Sequence, residues 1–65
     1  MSWAHVTPAR RELAERILTA KQLDVLKLRT DGYSWRKIAT ALHIDQATAR
    51  ERYTRALDRL REETT

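Results

Sequence analysis

Residues 34–61 read SWRKIATALHIDQATARERYTRALDRLR, and their spacing decides the fold. Ser34 offers a side-chain oxygen to the first free N–H groups of a helix. Ile38, Ala39 and Leu42 follow at helical spacing and make one apolar face. Ala39 is small where two helices must approach. His43-Ile44-Asp45 is long enough only for a turn, and Ile44 is its one apolar residue, placed to plug the angle between two helices. Asp45 then caps a second helix, where its charge suits the positive end of the dipole. Ala49, Tyr53, Ala56, Leu57 and Leu60 form the apolar stripe of that helix, while Arg50, Arg52, Arg55, Arg59 and Arg61 take the remaining face. A short helix, a turn with an apolar plug and a capped basic helix predict a helix-turn-helix over 34–62. Its second helix, 46–62, would be the one that enters a DNA major groove.

Working outward, Thr7-Pro8 starts a first helix over 8–18, because a cap residue precedes proline at the first helical position. Leu13, Ile17 and Leu18 supply its stripe. Thr19 and Gln22 match a capping box, opening a second helix over 20–30 with Leu23, Val25, Leu26 and Leu28 apolar. Gly32 ends it, since glycine takes the left-handed conformation freely. The third helix is expected over 35–42 and the fourth over 46–62. Residues 1–6 show no periodicity and are expected to fray, and Thr64-Thr65 to form a tail. The prediction is all-α: one domain over 1–65, a small four-helix bundle containing a helix-turn-helix. Its expected core is Leu13, Ile17, Leu23, Leu26, Ile38, Ala39, Leu42, Ile44, Ala49, Tyr53, Ala56, Leu57 and Leu60.

Composition narrows the function classes. A chain of 65 residues supports one small core. It has no cysteine, which excludes disulfides and thiolate metal sites and suits a reducing cytoplasm. It has no signal-peptide pattern and no apolar run long enough to span a bilayer. The net charge of +4 is uneven: residues 1–32 carry +2, residues 33–61 carry +4 and the last four carry −2. The excess therefore lies on the helix-turn-helix half, as an electrostatic footprint for nucleic acid would. A membrane-surface helix is disfavoured, because Glu51 and Asp58 interrupt the polar face and the apolar face lacks Trp and Phe. His5 and His43 are far apart and no HExxH spacing exists, so no metal or other cofactor is expected. No phosphate loop or nucleophile motif is present, so no enzymatic activity is expected.

Within the second helix, the side chains facing outward from the first turns are Gln46, Ala47, Arg50 and Glu51, the expected base contacts. Gln46 suits adenine, Arg50 guanine and Glu51 cytosine, while Ala47 suits a thymine methyl. A local pair with Arg55, four residues on, is the competing reading of Glu51. Phosphate contacts are expected from Tyr33, Ser34, Arg36, Lys37, Thr48, Arg52 and Arg55. Ser34 can combine that role with capping. Trp35 is read as packing against the bundle rather than stacking on a base, and Tyr53 as core. Arg59 and Arg61, far along the helix, are read as solvated. Five neutralised phosphates would give a log–log salt slope of about −4 to −5.

Residues 18–62, LTAKQLDVLKLRTDGYSWRKIATALHIDQATARERYTRALDRLRE, resemble region 4 of sigma factors and the related LuxR-type response-regulator domain. The matching features are the Leu18-Thr19 start, the run from Gln22 through Val25-Leu26 to Leu28, Gly32-Tyr33-Ser34, Ile38-Ala39, Leu42, and Ala47-Thr48 through Arg55-Ala56 to Leu60-Arg61. The resemblance implies a helix-turn-helix whose base-reading positions fall on the same four residues, 46, 47, 50 and 51. It departs at His43, where the family usually has a left-handed glycine, and at Lys37, where it often has Glu. The other regions of a sigma factor have no counterpart in these residues, so a region-4-like domain is expected rather than a complete sigma factor. The expected function is a small cytoplasmic transcription regulator that binds double-stranded DNA and associates with the nucleoid when bound. It would act as a homodimer, with Trp3, the first helix and the end of the last helix as candidate dimer surface. The alternatives are a region-4-like module that docks on RNA polymerase or another regulator, and a DNA-packaging or recombination accessory of a phage or mobile element.

Overall fold

A computed structural model describes residues 2–64, so Met1 and Thr65, at the ends of the expected frayed segment and tail, lie outside it. A short 3-10 turn, Trp3–His5, precedes four α-helices: α1 (Pro8–Ile17), α2 (Ala20–Thr30), α3 (Trp35–Leu42) and α4 (Gln46–Thr64). All four helix starts carry the caps the sequence calls for, Asp45 at the last of them. The Arg10 N–H donates to the Thr7 hydroxyl oxygen (3.4 Å), ahead of Pro8. Thr19 and Gln22 form the reciprocal capping box, both bonds 3.2 Å. The Lys37 N–H donates to Ser34 Oγ (3.2 Å).

Helices α2 and α3 stop by one device. The Tyr33 N–H donates to the Leu28 carbonyl and the Gly32 N–H to that of Arg29. One helix later, the Ile44 N–H donates to the Ala39 carbonyl and the His43 N–H to that of Thr40. Both are Schellman closures, which need a left-handed residue just past the helix. Gly32 supplies it at φ 97° and His43 at φ 56°, the one non-glycine residue with positive φ among the described residues. His43 thus takes the left-handed conformation that the family's glycine would, and the turn aims Ile44 back at the core.

Helix α4 is the spine and touches α1, α2 and α3. Two apolar clusters line it. One joins Ala14, Leu18, Leu26 and Ala56, flanked by Trp3, Ile17, Leu23, Leu57 and Leu60. The other joins Val25, Ile38 and Ala49, flanked by Leu28, Trp35, Leu42 and Ile44. Tyr53 packs against both. The alanines Ala49 and Ala56 are fully buried, which lets neighbouring helices come close. The radius of gyration, 11.3 Å, is near the ~11 Å expected of a folded chain of this length.

Several expectations need correction. Helix α1 ends at Ile17, one residue early, and Leu18 is extended and buried. Helix α4 runs to Thr64, beyond the expected end at 62. Ala14, Leu18 and Val25 belong to the buried core and Leu13 is only half-buried. Val25 points to one cluster and Leu26 to the other, because α2 is covered on two sides. The segment before α1, expected to fray, is folded through Ser2–Val6. The Trp3 N–H donates to Asp31 Oδ1 (2.5 Å), and its ring packs on the first cluster with the Lys27 ammonium 5.8 Å from the ring centroid. Trp3 is therefore engaged within its own chain while part of its ring remains exposed.

Candidate nucleic-acid interface

The junction of α3 and α4 is built by Asp45. The Thr48 N–H donates to Asp45 Oδ1 at 2.6 Å. That bond and one from the Thr48 side chain hold the Asp45 carboxyl below the usual carboxylate range. The cap orients the first turns of α4 and leaves Gln46, Ala47, Arg50 and Glu51 all exposed. Thr48, expected at a phosphate, is half-buried and committed to this cap. Ser34, Arg36 and Lys37 are exposed at the start of α3, and Tyr33 is the exposed large apolar side chain among the described residues, at 46%. Ser34, Arg36, Lys37, Thr40 and Ala41 line a shallow surface depression. Arg52 is half-buried and Arg55 exposed.

Ion pairing separates the cations of α3 and α4. Arg55 Nη2 lies 2.7 Å from Glu51 Oε1, Arg59 pairs with Glu62 at 3.7 Å and Arg61 with Asp58 at 3.9 Å. The competing reading of Glu51 is thus the geometry observed: its carboxylate is turned to Arg55. Arg36, Lys37, Arg50 and Arg52 face no acid within ion-pair distance among the described residues. An unpaired guanidinium keeps its donors for an incoming anion, whereas an exposed ion pair must be opened first.

Sequence reasoning missed one part of this surface, the surroundings of Trp35. Its ring meets Tyr53 edge-on, centroids 5.3 Å apart and planes at 71°. The Arg29 guanidinium carbon lies 4.6 Å from the Trp35 centroid and that of Arg50 5.9 Å from it. Arg29 also donates from Nη1 to the Tyr33 carbonyl (2.9 Å), bridging the turn between α2 and α3. Two guanidinium groups at one ring gain from its negative face and repel each other, so an anion near both is favoured. The only sequence signal was an aromatic residue next to the cap. Arg29 sits on α2, outside the helix-turn-helix, and nothing in its spacing connected it to Arg50.

Compared with family models, curated protein sequences and solved structures, the chain matches none of them. Among the described residues, no cluster of three or more His, Asp or Glu side chains could hold a metal ion, and no helix is long and apolar enough to cross a membrane.

Proposed function

We propose that the chain is a sequence-reading, double-stranded DNA-binding protein in which α3 and α4 act as a helix-turn-helix. The observation that carries the reading is the grouping of four cations without an acid partner, Arg36, Lys37, Arg50 and Arg52, around the exposed N-terminal turns of α4, where the later arginines of that helix are paired. In this reading α4 enters the major groove by that end. Gln46, Ala47 and Arg50 meet base edges. Glu51 joins them by exchanging Arg55 for a cytosine amino group, which frees Arg55 for a phosphate. Arg36, Lys37 and Arg52 hold the backbone, with Tyr33 and Ser34 beside them. The left-handed turn at His43 and the apolar plug at Ile44 support the resemblance to sigma-factor region 4 and LuxR-type domains, which have their turn at this point. A transcription regulator acting as a homodimer follows, because one module of this size buries little DNA surface and two half-sites restore specificity.

The test is a mobility-shift titration with random-sequence duplex at two salt concentrations, on the wild type and Arg50→Ala. Salt-sensitive binding with a log–log slope of about −4 is expected. Absence of binding at low salt would sink the proposal, leaving docking on RNA polymerase or another protein as the reading to pursue. Unchanged binding by Arg50→Ala would remove α4 from the groove.

A further inference from the structure

We infer that Trp35 is a positioning residue for base reading: its indole face holds the Arg50 guanidinium in the orientation in which it meets a base, with Arg29 as the counterweight. The inference rests on the DNA-binding reading and adds a residue to it.

The geometry runs from the core outward. Trp35 is half-buried and packs on the cluster of Val25, Ile38 and Ala49, so its ring cannot swing with solvent. Tyr53, from α4, meets it edge-on at 5.3 Å and fixes its plane. Arg50 lies one helical turn before Tyr53 on the same helix, and its guanidinium carbon is 5.9 Å from the ring centroid. Arginine otherwise carries large rotamer freedom on an exposed helix face, and restricting it before binding removes an ordering cost from the complex. Arg29, at 4.6 Å and tied to the Tyr33 carbonyl, occupies the ring as well. Its charge discourages Arg50 from sliding further across the indole toward α2. Three helices thus converge on one side chain of α4.

The experiment is a double-mutant cycle in affinity for a short duplex recovered by selection from a randomised pool, using Arg50→Ala, Trp35→Leu and both together. It is paired with NMR side-chain shifts of Arg50 in the free protein. Trp35→Leu should weaken binding about two- to fivefold, and Arg50→Ala should cost less by the same factor in that background. Trp35→Phe, which keeps a ring, should restore most of the loss. In the free wild type the Arg50 side-chain protons should be shielded by the indole, and the shielding should vanish in Trp35→Leu. A purely structural role for Trp35 would move neither the coupling nor that shielding. If Trp35→Leu fails to fold by circular dichroism, the shielding of the Arg50 side-chain protons in the free wild type decides alone. Additive losses, or Arg50 protons at the positions of a free arginine, would overturn the inference while duplex binding by the wild type stands. A wild type that binds no duplex overturns the DNA reading and this role together.

Discussion

The two halves of α4 are both rich in arginine and use it differently. From residue 53 to 64 the helix carries Arg55, Arg59 and Arg61 against Asp58, Glu62 and Glu63, a formal balance of zero. From residue 46 to 52 it carries Arg50 and Arg52, and its single acid, Glu51, is turned to Arg55. Arginine content alone would have marked the whole helix as one basic face. Pairing confines the available charge to the first two turns, beside Arg36 and Lys37 of α3. The difference teaches that an electrostatic footprint is set by where acids fall at helical spacing, not by the number of cations.

The largest expected effect falls on what both halves share. Ile38 is fully buried beneath the α3–α4 junction. Ile38→Ala should cost ~2–5 kcal/mol, comparable to the whole stability of a domain this small, and thermal unfolding by circular dichroism should show the transition lost or displaced far downward. A variant that stayed folded and lost only duplex binding would mean that the first half of α4 is held independently of the second.

Next comes Arg50→Ala, expected to weaken duplex binding by ~1–3 kcal/mol with the melting curve unchanged, read from parallel titration and melting. A matched pair then sharpens the contrast within the helix. Arg52→Ala should reduce the salt slope of binding by about one, while Arg59→Ala should leave it in place. Equal slopes for the two variants would erase the distinction between the halves.

The smallest effect concerns the cap that opens the first half. The Asp45 carboxyl is lowered in the folded chain, so the unfolded state takes up its proton first as pH falls. Its stabilising contribution is complete above the ordinary carboxylate range and is lost as pH drops through the lowered folded value. Asp45→Asn keeps a side-chain oxygen for capping but has no such titration. The difference in melting temperature between wild type and Asp45→Asn should therefore shrink on acidification from pH 6 to pH 2. A constant difference would show that the Thr48 contacts do not favour the charged form.

Much of this architecture was legible because its signals are local. Thr7, Thr19, Ser34 and Asp45 cap whichever helix follows them, and a cap needs only its own next three residues. Gly32 and His43 mark the stops for the same reason. The core was legible where large side chains repeat, as at Ile38 and Leu26. It was not legible at Ala14, whose burial comes from closeness to α4 and not from any apolar bulk. Leu18 and Val25 were hidden because a residue leaving a helix and a helix covered on two sides both break the expected stripe. Trp3 carried no periodicity, and only the tertiary contact with Asp31 folds its segment. At the candidate interface, exposure of Gln46, Ala47 and Arg50 followed from helical phase. The Arg29–Trp35–Arg50 grouping did not, since its members come from three helices with no fixed spacing between them.

Tyr53 joins the two apolar clusters across the middle of α4, and that has a kinetic consequence. No stretch of the chain can open at this point without exposing both clusters at once. The backbone amides between Ala49 and Ala56 should therefore be the slowest to exchange with deuterated solvent, released only when the entire molecule unfolds. The end of α4 beyond Leu60 should exchange early. The exposed first turns of α4 would then adjoin the most slowly opening segment of the helix, set apart from the fraying at its far end.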